Sequence, residues 1–377
     1  MKKNIKTILI TNDDGFNAAG LKVLKEIAKL FTYDVYVIAP KFNQSAKSRS
    51  ITLNHEINFE KKSDYEWIVD GTPTDCVIFA INYLMKDLKP DLILTIADRF
   101  ETLPIATAAS YMNIPIAHTQ GGEQTGSIDE SVRHATTKLS QIHFPSTLKS
   151  KQNLIKMGEN KKNVYLTGCP SLDLIPKKIA EIDKNFFKKY THVGNLINYK
   201  EPYIVILQHP VTTEYKDAKS QISETIEAIK KIDLQVVWLW PNVDAGSDDI
   251  SKAIRTFRED YNPKKIAFFK NFNPTDFIKL IYNSKCFVGN SSSAIREGSF
   301  LGIPAVNIGS RQANREKSSN IIDVHYDATK ILKAIKFQIN HGKYKKSLLY
   351  GNRDAGKKIS NIIKNLKNIT IQKKLNY

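Results

Sequence analysis

The chain has 377 residues, 41% of them hydrophobic and 25% charged, a balance that suits a globular protein with two cores and excludes a low-complexity chain. No apolar run approaches the roughly 18–20 residues of a membrane span, and three widely spaced cysteines (Cys76, Cys169, Cys286) argue against a disulfide framework and for a reducing cytosol. The formal charge of +18 admits nucleic acid or a polyanionic small substrate, yet lysine is scattered along the chain, the pattern of a solvated surface in a lysine-rich sequence.

Met1 to Ile10 is a lysine-rich lead into a short apolar run. Asn12, Asp13 and Asp14 follow at once, so it reads as a first strand rather than a secretory signal. Short β-branched runs then recur at Val35–Ile38, Leu92–Ile96, Ile114–Ala117, Ile142–Phe144 and Val164–Leu166. Amphipathic stretches such as Leu21–Leu30 and Val77–Leu84 lie between them. The alternation predicts βαβ units, hence parallel sheets covered by helices on both faces. A polar, lysine-rich stretch runs from Lys177 to Lys200, and the boundary is expected near Asp183–Lys200. The rhythm restarts at Tyr203–Leu207, Gln235–Trp240, Ile266–Phe269, Cys286–Val288 and Ala305–Ile308. The expected class is α/β, with two Rossmann-like domains facing a cleft: residues 1–190 as one continuous sheet, residues 200–350, and a helix within 351–377. From Lys357 to Lys374 that helix would set Ile359, Ile362, Ile363 and Leu366 against a lysine face.

Ligands of open parallel sheets bind beyond the carboxyl ends of the strands. Three such loops of the first domain carry acids: Asp98, Glu123 after the paired Gly121-Gly122, and Glu130, with Arg133 and His134 close behind. Each acid alone is as readily a helix cap or a surface charge. Together they could divide acid and base roles by shifting one another's pKa. In the second domain, Gly289-Asn-Ser-Ser-Ser293 follows a strand and opens a helix from Ala294, which gives backbone amides and hydroxyls for an anion. Glu297 lies one turn on, and Arg311 follows Ile308-Gly309. The plain alternative is a serine N-cap. His209 ends the first strand of that domain, where a loop histidine packed on Pro210 is the competing reading.

The motifs form an ordered series: Asp98-Arg-Phe-Glu101, Ile114-Pro-Ile-Ala-His118, Gly121-Gly-Glu123, Ile128-Asp-Glu130, Arg133-His134, Gly168-Cys-Pro-Ser-Leu-Asp173, Gln208-His209-Pro210, Gly289–Ser293, Glu297, Pro304–Gly309 and Arg311. From about residue 90 onward the chain resembles the hydrolysing UDP-N-acetylglucosamine 2-epimerases of sialic and legionaminic acid synthesis. That resemblance implies a GT-B-like fold, a UDP-sugar substrate, no cofactor and commonly a homodimer. It also implies catalytic roles for Asp98, Glu123, Glu130 and His209, and substrate contacts for Ser291, Ser292, Glu297, Arg311, His118 and Arg133.

The first quarter differs. Thr11-Asn-Asp-Asp-Gly15, Ala39-Pro40, Asn43-Gln-Ser45, Ser50–Leu53 and Gly71-Thr-Pro-Thr-Asp-Cys76 resemble the SurE-type metal-dependent nucleotidases, up to about residue 95. Asp13, Asp14 and Ser45 match three of that family's metal ligands, while its later asparagine and downstream motifs are missing. Two aspartates beside a diphosphate repel it unless a cation intervenes, so a Mg²⁺-type ion is one expectation and helix capping by the two aspartates the other. The chain therefore reads as a chimera acting as a cytoplasmic nucleotide-sugar 2-epimerase. A metal-dependent nucleoside monophosphate phosphatase and a catalytically weak nucleotide-sugar-binding protein are the competing readings. Neither nucleic acid nor membrane is an expected partner, since no recognition motif or span appears.

Overall fold

Alternating side chains of the second strand, Asp34–Pro40, go to opposite faces. Val35, Val37 and Ala39 join a core with Ile10, Leu21 and Ala28, and Ile38 joins another with Val69, Cys76, Phe79 and Ala80. Burial on both faces is what an apolar, β-branched parallel strand requires. The computed structural model describes residues 7–12, 15–29, 34–42, 44, 56–80, 90–98, 102–242, 244–367, 369–374 and 376. They fall into two compact units: residues 1–123, 129–170 and 351–377 in the first, and 124–128 and 171–350 in the second.

In the first unit the described elements are β1 (Thr7–Thr11), α1 (Ala19–Lys29), β2 (Asp34–Pro40), β3 (Phe59–Ser63), β4 (Glu66–Val69), α2 (Pro73–Phe79), β5 (Ile93–Ile96), α3 (Thr102–Tyr111), β6 (Ile116–Thr119), α4 (Asp129–Leu139), β7 (Ile142–Phe144) and α5 (Leu148–Lys156). Strands pair in the orders β1-β2-β4-β3 and β5-β6-β7; every pairing is parallel except β3 with β4. The expected single continuous sheet is thus corrected to two hydrogen-bonded ladders among the described residues. A shared core joins them, because Leu9 of β1 packs against the cluster under β4 and against that under β5. The β3–β4 hairpin escaped the sequence reading because β3, Phe-Glu-Lys-Lys-Ser, is exposed throughout and carries no apolar alternation.

The second unit holds a seven-stranded sheet of order β14-β13-β12-β9-β10-β11-β8. Its elements are β8 (His192–Gly194), β9 (Tyr203–Leu207), α6 (Ala218–Ile229), β10 (Gln235–Leu239), α7 (Ser247–Tyr261), β11 (Ile266–Phe269), α8 (Pro274–Asn283), β12 (Phe287–Gly289), α9 (Ser292–Ile295), α10 (Glu297–Leu301), β13 (Ala305–Ile308), β14 (Ile321–Val324) and α11 (Ala328–His341). All pairings are parallel except the edge strand β8 on β11.

Two expectations about boundaries change. The division falls at Pro170/Ser171, ahead of the lysine-rich stretch. That stretch is no linker: Phe186 stacks on Phe272 at 5.8 Å and Phe187 packs edge-on to Tyr203 at 5.8 Å, anchoring the segment to the second unit. The C-terminal helix, α12 (Ala355–Lys364), belongs to the first unit and ends well before Lys374. Its Ile359 and Ile363 complete the core of Leu92, Ala117, Ile142 and Phe144. Val164–Leu166 forms a single bridge, Val164 to His143, rather than a strand. Among the described residues no helix is long and apolar enough to cross a membrane.

Candidate functional site

In the first unit the strand ends converge on one buried guanidinium. Arg133, on α4, is fully buried; its Nη2 donates to Asp98 Oδ2 and its Nη1 to the Glu123 carbonyl at 2.6 Å. One planar fork therefore fixes the carboxylate after β5 and the backbone after β6. Asp98 follows Ala97, whose φ of 54° turns the chain sharply out of the strand. His118, at the end of β6, holds that turn. Its Nε2 lies 2.7 Å from the Ala97 carbonyl and its Nδ1 3.2 Å from the Thr137 hydroxyl. A carbonyl can only accept, so the ring carries its proton on Nε2 and accepts from Thr137. Burial pushes the His118 pKa down to about 3, so the ring is neutral.

His118 and Arg133, the expected substrate contacts, are both fully buried: His118 bonds Ala97 and Thr137, and Arg133 bonds Asp98 and the Glu123 carbonyl through its two Nη atoms, while its Nε has no hydrogen-bond partner among the described residues. They set the positions of Asp98 and Glu123. Glu123 is itself buried at the end of its loop, whereas Glu130, in the first turn of α4, is half-buried and 3.4 Å from His134. The glycine pair provides the unusual backbone angle that such a pair permits. Gly122 has φ +77°, and a Cβ there would come within 2.3 Å of the Ser150 carbonyl on α5. Nothing in the residue types of Thr137 or Ala97 marks either as part of a site.

In the second unit β9 and β12 run side by side, and their ends deliver the next group. Asn290 is fully buried; its Oδ1 accepts from the His209 amide at 2.7 Å and its Nδ2 donates to the His209 carbonyl at 2.8 Å. The His209 Nδ1 accepts the Asn242 amide at 3.1 Å, which leaves the proton on Nε2. Burial, then the nearby Arg311 charge, lowers its pKa to about 3, so His209 is a neutral donor at physiological pH. Asn290 and Asn242 were missed as positioning groups, although Asn290 stands inside the Gly-Asn-Ser motif. Gln312, beside Arg311, donates to the Asn290 carbonyl at 2.9 Å.

The helix expected from Ala294 is short and begins at Ser292. Ser291 is an N-cap whose hydroxyl accepts from the Ser293 amide at 3.3 Å, and the helix it caps spans only Ser292–Ile295 before a break at Arg296. Ser291 thus caps this short helix. Glu297 opens the next short helix, buried, and burial raises its pKa despite a hydrogen bond to Ser171. Arg311 Nη2 lies 3.7 Å from Asp244. Residues 124–128 join this unit through the Gly126 amide, which donates to the Arg311 carbonyl at 3.1 Å.

Asp13, Asp14 and Ser45 lie outside the described residues. Beside the first two, the buried Thr11 Oγ1 and Asn12 Oδ1 find no hydrogen-bond partner among the described residues. The Gly71–Cys76 motif has a local role: Thr72 and Asp75 cap α2 reciprocally, with the Thr72 amide 2.7 Å from Asp75 Oδ2 and the Asp75 amide 3.3 Å from the Thr72 hydroxyl.

Two α/β units with acids at the strand ends of one and a serine loop at those of the other define a GT-B-like protein. A family model described as UDP-N-acetylglucosamine 2-epimerase matches residues 39–364, and the chain belongs to that family. It is 35% identical over 277 residues to the UDP-N,N'-diacetylbacillosamine 2-epimerase (hydrolyzing) of Legionella pneumophila, covering 74% of this chain and 71% of that protein. The fold matches the UDP-GlcNAc 2-epimerase of Methanocaldococcus jannaschii, solved in complex with UDP-GlcNAc and UDP. The TM-score is 0.71 at 19% identity, over 95% of this chain and 98% of that one. An 88-residue stretch, 23% of this chain, is 48% identical to the 5'-nucleotidase SurE of Paramagnetospirillum magneticum and covers 34% of it.

Proposed function

We propose that the chain is a hydrolysing nucleotide-sugar 2-epimerase that converts UDP-N-acetylglucosamine, or a related acetamido sugar nucleotide, to the N-acetylmannosamine-type sugar and UDP. The observation that carries this reading is the Arg133 fork, which pre-sets Asp98 and the Glu123 loop in a member of this family. Fixed carboxylates suit abstraction of a weakly acidic C–H, because they lose no orientation freedom at the barrier. In the first step a base takes the C2 proton, the C1–O bond to the diphosphate breaks, and a C1=C2 double bond remains. UDP leaves with the electron pair. In the second, water adds its hydroxyl to C1 and a proton reaches C2 from the other face. Asp98, Glu123 and Glu130 share these proton transfers.

In the same reading the neutral His209 Nε2–H donates to the departing diphosphate. Ser291 and Ser292 bind phosphate oxygens, Glu297 the ribose hydroxyls and Arg311 the anion. A Mg²⁺ held by Asp13, Asp14 and Ser45 would offset carboxylate–diphosphate repulsion. The oxygens of Thr11 and Asn12 that have no partner among the described residues are of the hard type such an ion accepts. The Legionella relative supports the hydrolysing course. A second reading, a metal-dependent nucleoside monophosphate phosphatase, is favoured by the SurE-like stretch alone.

Turnover of UDP-N-acetylglucosamine in D₂O, followed by proton NMR with and without Mg²⁺, tests these readings. The expected products are UDP and N-acetylmannosamine deuterated at C2. No reaction with any UDP- or GDP-linked acetamido sugar, alongside phosphate release from nucleoside monophosphates, would replace the first reading by the second.

A further inference from the structure

We propose that Lys373 is a positioning residue for Asp98, acting through α4; the proposal rests on the epimerase reading. The last carbonyls of a helix have no partner within it. At the end of α4 the Thr137 carbonyl accepts from the Ser140 amide at 3.1 Å and also from Lys373 Nζ at 3.0 Å, and a cation there opposes the negative end of the helix dipole. The ammonium is held by Glu159 at 2.6 Å. Neighbouring contacts fix the segment that delivers it: Gln141 Nε2 donates to the Ile371 carbonyl at 3.1 Å, and the Asn376 amide donates to the Gly158 carbonyl at 3.2 Å.

The capped helix is the one that arranges the first-unit acids. Its first turn carries Glu130, its middle carries Arg133 on Asp98, and its Thr137 hydroxyl holds His118, which holds Ala97. An axial slip of α4 would therefore move the Asp98 carboxylate from both sides, through its ion pair and through its backbone. Lys373 contacts neither Asp98 nor Glu130; its influence passes through Thr137. Glu159 also has His143 at 2.9 Å and Lys138 at 3.0 Å. Loss of the Lys373 charge leaves that buried carboxylate paired, so the fold should survive.

The test compares Lys373→Met, Lys373→Arg and Lys138→Ala in the full chain. Lys373→Met keeps the aliphatic stem; Lys138→Ala removes a different cation from Glu159, together with that side chain's bond to the Met157 carbonyl, and leaves the Thr137 carbonyl contact alone. The measurements are kcat and KM on the UDP-sugar turned over by the parent, the unfolding midpoint, and the His118 ring ¹⁵N signal, assigned by its loss in His118→Gln. Lys373→Met should lower kcat by about ten- to a hundredfold with KM within about twofold, as expected of misplacement rather than lost binding. It should also shift the His118 signal. Lys373→Arg should restore both, and Lys138→Ala should leave both unchanged. Parental kcat and an unmoved His118 signal in Lys373→Met would overturn the proposal. So would an equal loss in Lys138→Ala, which would assign the effect to the Lys138 contacts with Glu159 and the Met157 carbonyl instead of to the Thr137 carbonyl. If the parent turns over no UDP-sugar, the functional reading fails, and the His118 signal alone decides whether Lys373 reaches the loop.

Discussion

Both Arg133 Nη atoms donate to protein oxygens, and that decides what a substitution there does. A lysine would keep the charge but present one compact donor group in place of a planar fork. It could not hold the Asp98 carboxylate and the Glu123 carbonyl in the present geometry. Arg133→Lys is therefore expected to lower kcat by about a hundredfold while KM moves little, because the loss lies in orientation. Steady-state kinetics on the parent's substrate check this; a rise in KM at constant kcat would return Arg133 to direct substrate binding. The sequence marked Arg133 and His118 as important through their place in a motif series. It could not show that their polar atoms face inward, because that depends on α4 lying across the ends of β5 and β6. Conversely, Thr137 and Asn290 carry no chemistry of their own, and only the partners brought to them by folding give them a role.

Elements show the same division between what is local and what is not. β9, β11, β13 and β7 were legible from their apolar β-branched runs, whereas β3 and β8 were not: they are short, largely exposed edges of their ladders. The helix after the serine loop was legible in existence but not in length, since its break at Arg296 has no proline or glycine to announce it. Gly289 links the two levels. It pairs with Leu207 across β9 and β12, has φ +132°, and leaves room for the Leu207 carbonyl, which a Cβ would approach to 2.0 Å. Gly289→Ala would therefore force apart the strand ends that carry His209 and Ser291. Backbone strain plus steric separation should destabilise the second unit on the order of 3 kcal/mol. Thermal unfolding should show a lower transition and a UDP titration a weaker one. Unchanged values for both would mean that the strand ends tolerate the added methyl and that their separation is not what sets the site.

For the whole molecule, the first unit depends on residues remote in sequence. Its chain leaves at Pro170 and returns at Gly351, and the returning segment is part of the core. Ile359 and Ile363 of α12 are buried against Leu92, Ala117, Ile142 and Phe144. Burying an isoleucine side chain contributes roughly 1.5–3 kcal/mol, so these two account for a large part of the ~5–15 kcal/mol that separates a folded domain from its unfolded chain. The sequence displayed the apolar stripe of α12, but its spacing says only that something covers it, not which unit. The amino-terminal helices were nearer in sequence, and a helix after the second domain read as an appendage. Deletion of residues 355–377 is accordingly expected to unfold the first unit, exposing the face of β5, β6 and β7. The second unit has its own core around Trp238, Ile206 and Val288, with no α12 residue in it. Residues 171–350, expressed alone, should then give a cooperative thermal transition, while residues 1–170 alone should aggregate. Adding residues 351–377 to that fragment as a separate peptide should restore protection of the β6 and β7 amides from hydrogen exchange. A soluble, cooperatively folded 1–170 fragment would show that α12 covers the core without being needed to form it.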